Sequence, residues 1–153
     1  MDNDNPTINC NGDNTGVINA EAQGGLGNYQ YALFSDAGLT NEVSPNQPTG
    51  LFTDLLAGSY YLRVQSDDCE VTSALITITE PDPLLIDTAN TSITDVTCNG
   101  QEDGSITVNM IGGSGIYQYA ISPNLDRFSD DNTFDELAPG DYIIIAQDSN
   151  GCF

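Results

Sequence analysis

Carboxylates are the side chains with most chemistry to offer here. The chain carries 23 Asp and Glu against 2 basic residues, Arg63 and Arg127, for a formal charge of −21, and it has neither histidine nor lysine. That inventory removes Ser-His-Asp and Cys-His nucleophile systems, imidazole zinc sites and Schiff-base lysines. A paired-carboxylate hydrolase survives, but nothing in the spacing of the acids singles out a pair. The other use of clustered carboxylates is to hold a hard cation, calcium above all. A field of this sign repels phosphate backbones and anionic lipid, so nucleic acid is excluded as a partner. No run approaches the roughly 20 apolar residues of a membrane span. Met1 leads straight into "DNDNPT", which has neither a basic nor an apolar leader region, so the sequence reads as an excerpt.

The elements that must position these groups come in duplicate. At an offset of 88, "CNGDNTGVINAEAQGGLGNYQYAL" from Cys10 lies on "CNGQEDGSITVNMIGGSGIYQYAI" from Cys98. Further on, at an offset of 82, "FTDLLAGSYYLRVQS" from Phe52 lies on "FDELAPGDYIIIAQD" from Phe134. The six-residue difference falls between Leu33 and Phe52, where a surface loop is expected to absorb it. Inside each copy the apolar period is two. Ile106, Val108 and Met110 alternate with Ser105, Thr107 and Asn109; Tyr29, Tyr31 and Leu33 alternate with Gln30 and Ala32, and Tyr60, Leu62 and Val64 form a third such row. Turn signals ("NG", "GG", "AG", "PG") separate the runs, and no window has a helical face. The expected fold is all-β: two tandem immunoglobulin-like antiparallel β-sandwiches, residues 1–80 and 81–153.

Four cysteines without histidine point to disulfides and an extracytoplasmic setting. Three pairings exist, and the symmetry of the copies favours Cys10–Cys69 and Cys98–Cys152. Small sandwiches of roughly 75 residues need such a staple, worth about 4 kcal/mol in the chain-entropy account. If it forms, Asp13 in the Asn11–Gly16 turn is held against Asp67 and Asp68, and Glu102 and Asp103 are held against Asp148. These six acids form the candidate calcium sites. Their spacing is not that of a full calcium loop, and the alternative reading is that they cap turns and stay hydrated.

Cys-Asn-Gly, an acidic turn, Gly-Ser-Ile-Thr-Val, Gly-Gly-Ser-Gly-x-Tyr, Leu-Ala-x-Gly-x-Tyr and Asp-x-Asn-Gly-Cys occur in that order. Taken together they resemble the SprB repeat, which recurs in very large surface adhesins of Bacteroidetes, including a gliding-motility adhesin. The second copy carries the pattern best, through "TCNGQEDGSITV", "GGSGIYQYAI" and "LAPGDYIIIAQDSNGC". The first departs at "SDDCE" and at Val17. The resemblance implies type IX secretion to the outer cell surface and arrays of many repeats forming a long stalk; it does not imply catalysis. The expected partners are neighbouring repeats; an alternative reading, separate from the resemblance, is a calcium-dependent carbohydrate-binding module acting on surface glycans.

The remaining motifs divide between structure and modification. Tyr29, Tyr31, Tyr117 and Tyr119 could form a sugar platform, but their period beside Leu33 and Ile121 favours a core stripe. Tyr60 and Tyr142 follow turns and read as corner tyrosines bonded back to the backbone. "DTA" offers Thr88 for O-glycosylation and "NTS" offers Asn90 for N-glycosylation. The prolines of "TEPDPLL" stiffen the linker. After Cys69 the first copy continues into a clear strand, "EVTSALITIT", whereas "PLLIDTANTSI" leads into the second copy without a counterpart in the first. Copy one is therefore expected to show an unpaired initial edge and copy two an unpaired final one. Either the chain is a slice of a longer array, which is the simpler reading, or the open edges pair with other molecules by strand exchange into a filament.

Overall fold

The computed structural model describes residues 7–67 and 69–153, and every regular element among them is a strand. The chain divides into two compact units, Met1–Glu80 and Pro81–Phe153.

Unit 1 contains β1 (Gly16–Asn19), β2 (Tyr29–Phe34), β3 (Glu42–Gln47), β4 (Leu51–Leu55), β5 (Gly58–Ser66), β6 (Cys69–Thr72) and β7 (Ile76–Ile78). One layer is the antiparallel pair β1–β4, and the other runs β3-β2-β5-β6, with β7 continuing along the edge of β5. The alternating rows meet between the layers. Ile18, Phe52 and Leu55 from the first pack against Tyr31, Leu33, Leu62 and Val64 from the second, with Ile8, Tyr60 and Ile78 closing the cluster. The central ladder is unbroken from Tyr29↔Ser66 to Phe34↔Tyr61. β2 is also buried on its second face, where the Arg63 guanidinium lies 5.0 Å over the Phe34 ring.

Unit 2 contains β8 (Leu85–Ile86), β9 (Ser92–Thr94), β10 (Gly104–Thr107), β11 (Met110–Ile111), β12 (Tyr117–Ile121), β13 (Thr133–Leu137) and β14 (Ile144–Asp148). β10 lies between β13 and β9, β8 pairs with β11, and β12 pairs with β14. The repeat extends to irregularities. β1 pairs with β4 through a register shift between Gly16 and Ile18, and β10 pairs with β13 through one between Gly104 and Ile106. The extra residues, Asp54 and Glu136, take φ of 58° and 57°. Two bulges at matched positions bend matched strands.

The units differ in how well they are closed. In unit 1 the outer edge of β5 is covered by β6 and β7, which brings in Ile78 at 2% exposure. Among the described residues of unit 2 no strand pairs with the corresponding edge of β14, and Ile144 and Ile145 are only half-buried.

The cysteines overturn the expected pairings. Cys69 and Cys98 carry free, exposed thiols, whereas Cys10 and Cys152 are disulfide-bonded. Cys10–Cys69 and Cys98–Cys152 are therefore not formed, and the ladders show why. The segment around Cys10 lies where β5 begins, with Ile8 N–H donating to the Thr79 carbonyl and Gly12 N–H to Glu80. Cys69 pairs with Ser66, where β5 ends. The nine residues of β5 place about 25 Å between those ends, and a disulfide needs its Cα atoms within about 7 Å. In unit 2, the Cys98 turn precedes β10 at the end where β14 is entered, and Cys152 bonds Asp148 where β14 leaves. We expect a thiol reagent applied to the native protein to modify Cys69 and Cys98 and to spare Cys10 and Cys152, as read by peptide mass mapping. Leu33 is fully buried, so Leu33→Ala is expected to cost unit 1 about 2–5 kcal/mol. Amide exchange should show that loss in β2 and β5 and leave β12 and β14 unchanged.

Candidate functional site

The phrase that occurs twice, Gly-Gly-x-Gly-x-Tyr-Gln-Tyr, forms the same device in both units. The turn closes on itself through a tyrosine: Tyr29 Oη donates to the Gly24 carbonyl, and Tyr117 Oη to the Gly112 carbonyl at 2.7 Å. Beneath each turn sits one buried polar side chain at the end of the central strand, Ser66 at 8% exposure and Asp148 at 2%. Ser66 Oγ accepts from Leu26 N–H and donates to the Gly27 carbonyl at 2.6 Å. Asp148 Oδ2 accepts from Ser114 N–H at 2.9 Å, and its Oδ1 accepts from Asn150 and Cys152 N–H at 2.9 and 3.0 Å. The second glycine of each pair is required by this anchor. A Cβ on Gly25 would stand 2.9 Å from Ser66 Oγ, and one on Gly113 2.6 Å from Asp148 Oδ2. These glycines also have φ of 63° and 56°, where a side chain is strained.

The candidate calcium ligands are not brought together. Asp13 lies in the turn at the start of β5 and Asp67 in the hairpin at its end, and Asp68 lies outside the described residues. Asp103, exposed, caps its own turn instead: it accepts from Thr97 Oγ1 at 2.5 Å and from Thr97 N–H at 3.0 Å, and those bonds hold its carboxyl below the ordinary carboxylate value. Glu102 is exposed in the same turn, while Asp148 sits at the other end of β14. Among the described residues no three Asp, Glu or Cys side chains gather as a metal site would require. The acids whose bonds are seen act as turn caps.

The tyrosines divide as a core stripe would. Tyr31 and Tyr119 are buried at 6% and 5%, and Tyr31 Oη accepts from Ala22 N–H. Tyr60 Oη donates to the Leu56 carbonyl and Tyr142 Oη to the Ala138 carbonyl, each at 2.9 Å. Both corner tyrosines therefore bond back four residues. Thr88 and Asn90 are exposed in the turn between β8 and β9, where Asn90 Nδ2 donates to Asp87 at 2.6 Å.

The anchor role of Ser66 was not read from sequence. The signal was available, because the offset of 82 that aligns Tyr60 with Tyr142 also aligns Ser66 with Asp148. Serine and aspartate can both satisfy a backbone turn, yet they do not look alike in an alignment of two.

Two small all-β units, each with a corner tyrosine and a bulged strand pair, form an immunoglobulin-like tandem. Over 92% of its length the chain is similar to a solved structure, the three N-terminal domains of the bacteriophage RB49 Highly Immunogenic Outer Capsid protein (Hoc), with a TM-score of 0.50 and 18% identity; it spans 51% of that chain. At that identity the likeness is one of fold. No curated protein matches the chain. The SprB repeat model matches it at two regions, residues 8–38 and 90–126, consistent with two tandem copies.

The anchors make a measurable prediction. Burial pushes the Asp148 pKa up, but the N–H groups of Cys152, Ser114 and Asn150 outweigh it and hold the carboxyl below its ordinary 3.8. A carboxyl with a lowered folded pKa contributes its full stabilisation above the unfolded value, and this is lost as pH falls through the folded one. Asp148→Ala is expected to cost unit 2 about 2–3 kcal/mol at neutral pH. Asp148→Ser, which copies unit 1, should recover part of that and remove the loss of stability below about pH 4. Amide exchange in β12 and β14 against pH checks both.

Proposed function

We propose that this chain is a non-catalytic spacer segment of a large cell-surface adhesin, displayed outside the cell and positioned by neighbouring repeats of the same kind. The observation that carries this reading is the double SprB match. It is supported by the buried polar groups, which are spent on architecture. Asp148 accepts three backbone N–H groups, and Ser66 and the corner tyrosines are bonded within their own turns. A carboxylate whose lone pairs are filled by amides is poorly placed to act as a general base or nucleophile.

The ladders suit a segment that bears load. β2 and β5 stay in antiparallel register over six consecutive pairs, and β12 and β14 over five. The charge of −21 keeps such segments apart and hydrated in a crowded array. On this reading, replacing residues 7–153 within the parent protein by an unrelated immunoglobulin-like pair of equal length should leave adhesion within about twofold, because only length and display are required. The measurement is adhesion of cells matched for surface display. Loss of adhesion at unchanged display would refute the spacer role and assign contact residues to this segment.

A further inference from the structure

The four cysteines are of two kinds, and each kind occupies the same local structure in both copies. Cys10 and Cys98 open the Cys-Asn-Gly turn. The Cys10 carbonyl accepts from Asp13 N–H at 3.3 Å and the Cys98 carbonyl from Gln101 N–H at 3.0 Å, with Gly12 and Gly100 at φ of 80° and 84°. Cys69 and Cys152 follow the exit of the central strand, where each is held to the buried anchor. Cys69 pairs with Ser66 in the ladder, and the Cys152 carbonyl accepts from Asp148 N–H at 3.0 Å. One turn cysteine and one exit cysteine, Cys10 and Cys152, are disulfide-bonded and half-buried. The other of each kind, Cys98 and Cys69, is free and exposed. Both kinds of position are therefore built to carry a disulfide, and the chain presents one unused example of each.

We propose that the two exposed thiols are the halves of a bond between molecules, in which Cys98 of one copy of this chain joins Cys69 of another. Each copy offers one thiol of each kind, so the joining continues from copy to copy in series. The bond is made by thiol–disulfide exchange with an oxidised small-molecule disulfide such as glutathione disulfide. The thiolate of one cysteine attacks it, forming a mixed disulfide and releasing one glutathione thiol; the thiolate of the other copy then displaces the second. Two protons and two electrons pass from the cysteine pair to the oxidant, which ends as two thiols. A covalent bond suits such copies, because a charge of −21 on each opposes association through their surfaces alone. An oxidising, extracytoplasmic setting keeps a bond of this kind intact. The proposal does not rest on the spacer role, since it concerns only which thiols of two copies meet.

The test uses the full chain and two variants, Cys69→Ser and Cys98→Ser, each of which keeps one free thiol. The variants are incubated singly and as an equal mixture in glutathione buffer at roughly 0.15 M salt, where charge is screened beyond about 8 Å. The mixture is expected to give at least about tenfold more disulfide-linked dimer than either variant alone. Mass mapping should find that dimer joined through Cys69 and Cys98, and the wild type should give a ladder of longer oligomers. Amide exchange in β5 and β14 checks that each variant is folded; where serine fails that check, alanine at the same position replaces it. Equal dimer from a single variant would overturn the proposal, because exposed thiols would then be coupling at random. So would absence of dimer from the mixture while Cys69 and Cys98 still react with a thiol reagent. Wild type that loses both thiols and stays monomeric would overturn it too, in favour of a Cys69–Cys98 bond within one chain.

Discussion

The antiparallel contact between the tyrosine strand and the strand that follows the corner organises each half of this molecule. In unit 1 it runs from Tyr29↔Ser66 to Phe34↔Tyr61, and in unit 2 from Tyr117↔Asp148 to Ile121↔Ile144. Both ends of the ladder are fixed by side chains rather than left to fray. At one end the corner tyrosine ties strand entry to the preceding turn; at the other, Ser66 or Asp148 ties strand exit to the glycine turn. A slip of one residue would turn Leu33, Leu62 and Val64 out of the core and strand these polar groups without partners. Register, core and turn geometry are thus one constraint seen from three sides.

That constraint explains which features were legible in the sequence. The period-two rows at Tyr29–Leu33 and Tyr60–Val64 mark the ladder, because one face must be apolar and strand side chains alternate. The corner tyrosines were legible because each follows a turn at the same place in both copies. The second buried face of β2 was not, since Ala32 and Phe34 look outward by alternation until Arg63 is seen to cover Phe34. Nor was the break between β6 and β7. There Ser73 substitutes for a strand residue, giving its N–H to the Leu62 carbonyl and taking the Leu62 N–H on its hydroxyl. Such side chain-for-backbone exchanges leave no periodic trace.

The acids and cysteines mislead for a related reason. Two copies with one cysteine near each end suggest a clamp, and the clamp in turn suggests gathered carboxylates. Symmetry of the sequence says nothing about which end of a strand a turn occupies, however, and β5 separates the Cys10 turn from Cys69 by its full length. Once that distance is known the clusters dissolve. Asp103 and Asp148 are then seen to satisfy backbone and hydroxyl donors in their own turns, and for Asp148 this outweighs the cost of burying a charge.

The two units also show that an edge strand is part of the repeat without being part of the ladder that defines it. Unit 1 holds its core with Ala22–Gly25 uncovered, and unit 2 holds its ladder with the outer edge of β14 uncovered among the described residues. What the edges add is closure: Ile78 at 2% exposure in unit 1, against half-buried isoleucines along β14. The ladder and its two anchors are thus what the units share, and the edges are where they differ.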